Sequence, residues 1–200
     1  VVAGGICGSD ISNLTYSASP AMEPFGSFPA VLGHEILGRV KSVGTNVSKV
    51  SQGQRVTVDP MISCTTRGYP PEDPCSSCSE GLHCTCERAG EDGVIWIGDE
   101  PLSRGLTIGY HRDLPGGWGQ TVLAHESQVF PVDDALSDTA AVLLEPLSIA
   151  LHAVLRTPPE GEEPAFVIGS GTIALATIWA LRATGFQGPI LAQAKREHEQ

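Results

Sequence analysis

The chain has 200 residues, 41% of them hydrophobic, with 23 glycines and 15 prolines, a composition that fits a globular, strand-rich and loop-rich protein of one large domain or two small ones. A formal net charge of −11 without any Lys/Arg run argues against nucleic acid or an anionic membrane surface as partner. The uncharged run 165–181, 17 residues long, is broken by Gly169, Ser170, Gly171 and Thr172, so no membrane span is expected. No charged segment followed by an apolar core opens the chain, which predicts a cytoplasmic protein. Its six cysteines then point to metal rather than to disulfides.

In chain order, 36–44 and 54–59 carry valine at alternating positions between Gly, Asn and Pro, predicting two strands of an antiparallel meander. Segments 121–124 and 128–132 read as further strands. Between them, 61–120 is long, irregular and rich in Cys, Pro and Gly; such a loop needs a staple or a function. From Ser137, a plausible N-cap, the apolar period becomes helical over 138–156, and Pro158-Pro159 ends it. Segment 157–164 reads as a linker. A strand at 165–168, a glycine turn, a helix over 173–184 and a second apolar segment at 189–192 open a βαβ unit. The expected organisation is a β-rich domain over 1–156, the linker, and a partial dinucleotide-binding domain over 165–200. A doubly wound sheet cannot be completed in that length, so a fragment of a longer protein is expected.

Three constellations carry chemistry. Cys7, in Gly5-Ile6-Cys7-Gly8-Ser9-Asp10, and His34-Glu35 offer a thiolate, an imidazole and a carboxylate, the mixed donors of a zinc site that keeps one position open. Asp10 is placed to accept the other ring N–H of His34, as metal-bound imidazoles usually require. In the loop, Cys64-x10-Cys75-x2-Cys78-x7-Cys86 supplies four thiols, enough for a closed structural zinc site. Cys84 is a competitor for Cys86 and Glu72 a rival to Cys64. Gly169-x-Gly171-x-x-Ala174, after a strand and before a helix, is a dinucleotide fingerprint. Gly169 permits the turn, Gly171 lets pyrophosphate approach, and Ala174 allows close packing. At the end of the second strand Gln193 replaces the acid expected for NAD, and Lys195 and Arg196 follow. That favours NADP over NAD.

The first motif continues past its ligands as G-H-E-x2-G-x5-G-x2-V, through Gly38, Gly44 and Val47. Here the sequence resembles the zinc-containing alcohol dehydrogenases of the medium-chain dehydrogenase/reductase superfamily, over essentially its whole length. The resemblance implies a β-rich GroES-like barrel catalytic domain plus the first βαβ portion of a truncated Rossmann domain. It assigns Cys75, Cys78 and Cys86 to the family's zinc lobe, with Cys64 as first ligand and 65–74 inserted after it. It places Glu145, in Leu144-Glu145-Pro146, where many members have a cysteine ligand, as in the polyol-dehydrogenase branch. It makes Ser9 the acceptor of the alcohol proton, with Ser12 where relatives often continue the relay through His. The implied activity is oxidation of a small alcohol, secondary or polyol, with hydride transfer to NADP or NAD, by a protein that is homo-oligomeric at full length. A carbonyl reductase and a non-catalytic zinc-stabilised fragment are the alternatives.

Overall fold

Short aliphatic runs, rather than long strands, build this chain. The computed structural model describes residues 1–15, 26–161 and 163–194. It begins with Ala3–Gly4 (β1), Gly8–Leu14 (α1), Ile36–Arg39 (β2) and Arg55–Val58 (β3). Ser76–Ser79 (α2), the hairpin strands Trp96–Ile97 (β4) and Glu100–Pro101 (β5), and Val129–Pro131 (β6) follow. Asp138–Ala141 (α3), Leu144–Arg156 (α4), Ala165–Ile168 (β7), Thr172–Ala183 (α5) and Ile190–Gln193 (β8) complete it. Two compact units result, Val1–Val142 and Leu143–Gln200.

In the first unit β1, β2, β3 and β6 form one antiparallel sheet in that order, with Leu37 opposite Thr57 and Thr57 opposite Phe130. The expected meander is present but shorter than predicted. Beyond Arg39 the pairing continues only as isolated bonds, from Val40 N–H to Gln54 and from Gly53 N–H to Val40. Segment 121–124 differs from expectation: it joins no ladder among the described residues, although Val122 and Ala124 lie against the core. Its alternation reflects one packed side, and alternation alone does not supply a hydrogen-bonded neighbour.

The long irregular stretch is packed rather than loose. Ile62, Leu102, Ile108 and Leu114 from it join Ile36 and Val58 of the sheet in one core. Backbone bonds from Ile62 to Leu106 and from Ile108 to Pro60 tie its two ends together. Arg55, almost fully buried in β3, donates to the carbonyls of Asp133 and Leu136 and to Asp138 Oδ1 at 2.6 Å, which anchors the chain after β6.

The predicted 138–156 helix is two helices. Ser137 Oγ accepts the Ala140 N–H, as an N-cap should. The break at Val142–Leu143 falls four residues before Pro146, which has no N–H to donate to Val142 and whose ring would crowd that carbonyl. In the second unit, α4 and α5 bury Val154, Ala180, Leu181 and Phe186 against Leu151, Val167 and Ile190. That shared core groups α4 with the following βαβ, so the unit boundary lies earlier than the expected linker. β7 and β8 pair in parallel, Ala165 opposite Ile190 and Ile168 opposite Gln193. Gly185, at φ +94°, ends α5 with Phe186 N–H bonded back to Leu181. His152 is exposed on α4. Among the described residues no helix is long and apolar enough to cross a membrane.

Leu102 is completely buried in the first core. Leu102→Ala is expected to lower stability by about 2–5 kcal/mol, read from the midpoint of urea unfolding at unchanged slope.

Candidate metal centres and cofactor turn

The first site is assembled by the start of α1. Cys7 is its N-cap residue, and its backbone N–H donates to Asp10 Oδ2 at 2.9 Å. The carboxylate is fully buried, and its other oxygen lies 3.4 Å from His34 Nδ1 and 3.1 Å from the Tyr110 hydroxyl. One side chain thus connects two segments far apart in sequence. With Nδ1 turned to Asp10, Nε2 is the ring nitrogen available to a metal. Burial acts to raise the Asp10 pKa, but the His34 ring and the Cys7 N–H outweigh it and hold the carboxyl below its ordinary range.

Cys7, His34 and Glu35 each present one ligand atom, all within 4.8 Å of one another. Glu35 is nearly buried, and burial raises its pKa, with the charge of Asp10 adding and His34 opposing. A carboxylate held there gains from a cation beside it. Gly5 makes room for it: a Cβ at Gly5 would overlap the Glu35 carboxylate. Gly33, at φ +95°, lets the Trp118 indole lie against the backbone just before His34, and Trp118 Nε1 donates to the Gly5 carbonyl at 3.2 Å. Trp118 therefore braces the loop that carries the ligands.

Sequence reasoning missed Tyr110. Its buried hydroxyl is 2.8 Å from Ser9 Oγ as well as near Asp10, and its ring lies 5.3 Å from that of His34. Because an ionised carboxylate only accepts, the phenolic proton goes to Asp10 and the phenolic oxygen can take the Ser9 proton. No local motif marks this tyrosine; it reaches the site from the far end of the irregular stretch. Ser12 Oγ donates to the Gly8 carbonyl on α1. Glu145 sits in the first turn of α4 in the second unit, half-buried, with its carbonyl accepting from Ser148 Oγ.

The second centre gathers Cys64, Cys75, Cys78 and Cys86, whose sulfurs all lie within 4.8 Å. All are free thiols, and Cys64 and Cys86 are 3.8 Å apart at sulfur. That is too long for a disulfide and matches the edge of about 3.8 Å of a tetrahedron with Zn–S bonds of about 2.3 Å. Backbone N–H groups of Cys64, Cys75 and Cys78 point at the sulfurs of Cys78, Cys64 and Cys75, at 3.5, 3.4 and 3.4 Å. Burial works to raise the Cys75 thiol, but N–H donation from Cys78 and Glu87 outweighs it and brings the pKa to about 7. Burial raises Cys78 and Cys86. The geometry and the donor set fit zinc. Cys84 and Glu72 are exposed and outside this cluster.

The cofactor turn joins β7 to α5. Gly169 has φ +133°, a value other residues rarely adopt, and Gly171 is the N-cap, with open space where its Cβ would be. Ala174 Cβ lies 3.5 Å from where a Gly169 Cβ would be, an ordinary contact distance. The first turn of α5 carries no acid. Free N–H groups at a helix start beside an uncrowded backbone fit a pyrophosphate. Gln193 ends β8, its carbonyl accepting the Gly169 N–H at 3.1 Å. Lys195 and Arg196 lie outside the described residues.

The family model for the alcohol dehydrogenase GroES-like domain matches residues 1–134. The chain belongs to this family. The L-galactonate-5-dehydrogenase of Escherichia coli K12 is 32% identical to this GroES-like chain over 196 residues, covering 97% of it and 48% of the relative. The (R,R)-butanediol dehydrogenase of Saccharomyces cerevisiae is 31% identical, covering 90% and 46%. A Sinorhizobium meliloti 1021 protein solved bound to NADP superposes with a TM-score of 0.74 at 28% identity, over 100% of this chain and 48% of its own. The chain thus spans about half the length of the curated relatives it matches.

Asp10→Asn is expected to weaken metal at the Cys7–His34–Glu35 site about 10–100-fold, measured by chelator competition. Cys75→Ser is expected to lower zinc content by about one ion per chain and reduce the melting temperature. Cys84→Ser should change neither.

Proposed function

We propose that the full-length protein is a zinc-dependent oxidoreductase, converting a secondary alcohol or polyol to its carbonyl with hydride transfer to NAD or NADP. The convergence of Cys7, His34 and Glu35 around an Asp10-braced imidazole carries this reading. Those three residues would hold the catalytic zinc. Cys64, Cys75, Cys78 and Cys86 would hold the structural one.

Bound metal supplies Lewis acidity toward a substrate oxygen, and the nicotinamide supplies the hydride acceptor that no side chain can replace. The protein does the rest. Ser9 Oγ takes the alcohol proton as its own passes outward to solvent, and the Tyr110 hydroxyl, 2.8 Å away, holds that serine in place. Asp10 keeps His34 in one tautomer. The Gly169–Ala174 turn and the first N–H groups of α5 bind pyrophosphate. Gln193 at the end of β8 carries no charge to repel a 2′-phosphate, and Lys195 and Arg196 supply positive charge nearby in sequence, which supports NADP. The same groups serve carbonyl reduction in reverse.

The test assays the full-length protein on polyols and secondary alcohols with NAD and NADP in parallel, alongside zinc analysis. Two zinc ions per chain and turnover favouring NADP are expected. One zinc and no turnover would support a non-catalytic module, and no zinc would sink both. Ser9→Ala is expected to lower kcat by about 10²–10⁴-fold with zinc content unchanged.

A further inference from the structure

Arg67 is fully buried (0% exposed), within the segment 65–74 that separates Cys64 from the other three clustered thiols. Its guanidinium donates to the carbonyls of Glu91 at 2.9 Å, Ala89 at 3.4 Å and Gly105. Its backbone N–H bonds to the carbonyls of Ser63 and Cys64, and the Ala89 N–H bonds to that of Cys86 at 3.1 Å. The side chain therefore spans the two backbone segments that present Cys64 and Cys86.

Carbonyl dipoles satisfy N–H groups but do not cancel a unit charge, and a buried cation without an anion is strongly unfavourable. Among the described residues the arginine ion pairs are Arg39–Asp134, Arg55–Asp138 and Arg88–Asp73, and no carboxylate lies within 4.0 Å of Arg67. Burial pulls its pKa down, while negative charge on Cys86, Tyr69, Cys64 and Asp92 acts the other way. Asp92 is exposed and accepts the Arg104 N–H, and the Tyr69 ring lies under Arg88. Of the groups whose negative charge acts on Arg67, the buried ones are the thiols of Cys64 and Cys86. Four thiolates around zinc leave a net charge of about −2, itself costly to bury.

We propose that Arg67 is the buried counter-cation of the four-thiolate zinc site, so that segment 65–74 supplies the lobe with charge compensation instead of a ligand. This rests on the lobe binding zinc. The alternative, that Arg67 only ties carbonyls together, predicts dependence on its donor geometry and none on its charge.

The experiment uses the full-length protein in a Cys7→Ser background, so that zinc release into an excess of chromophoric chelator reports the lobe alone. Arg67→Gln keeps amide donors without charge, and Arg67→Lys keeps charge without the planar fork. Release about tenfold faster or more from Arg67→Gln, with Arg67→Lys within about threefold of the parent, is expected. An unfolded Arg67→Gln beside a folded, zinc-retaining Arg67→Lys supports the same conclusion. Native-rate release from Arg67→Gln overturns it, as does equal impairment or loss of both variants, because restoring the charge then restores nothing. If the Cys7→Ser parent itself holds no zinc, the lobe reading has failed, visibly and before any Arg67 variant is compared.

Discussion

The Asp10 carboxylate is the contact on which the first site depends. It accepts the Cys7 N–H with one oxygen and faces His34 and Tyr110 with the other. Those partners come from the start of α1, from the loop before β2 and from the end of the irregular stretch. A carboxylate without any exposed surface is tolerable only with such donors, and the same donors keep it ionised. Its burial and its charge have one cause. Around it, Gly5 and Gly33 leave the space that Glu35 and Trp118 occupy, so the ligand loop is held by shape as well as by hydrogen bonds.

The lobe solves a related problem with sulfur in place of oxygen. Four thiols are held close enough to share one ion, with backbone N–H groups directed at three of the sulfurs. The irregular stretch is thereby stapled at one end, and its aliphatic residues close the sheet core at the other. Long loops are stable in a small unit when such anchors replace regular secondary structure. This one brings Tyr110 back to Ser9 and Asp10.

Much of this was legible in the residue order. Ser137 capped the helix it announced, Gly185 ended α5, and the glycine turn sits between a strand and a helix. These are local features, fixed by side chains within a few residues of the backbone they control. The split at Val142–Leu143 was not expected from the apolar period, although its cause, Pro146, is local. Segment 121–124 misled because alternation reports which side is packed and not whether a neighbouring strand exists. The brevity of β2 was hidden for the same reason: ladder length depends on the partner.

By itself the sequence determined the donor inventory: which thiols, imidazole and carboxylates exist, and at what spacing. It also set the βα turn, because Gly169 and Gly171 act on their own backbone. Tertiary structure decided among the candidates left open, joining Cys64, across ten intervening residues, to Cys75, Cys78 and Cys86 while Cys84 stays outside. It alone brought Tyr110 to Ser9 and laid the buried Arg67 guanidinium against the carbonyls of Ala89, Glu91 and Gly105. Those outcomes are contacts between segments distant in sequence, and they are set by how the chain returns on itself, which no spacing encodes.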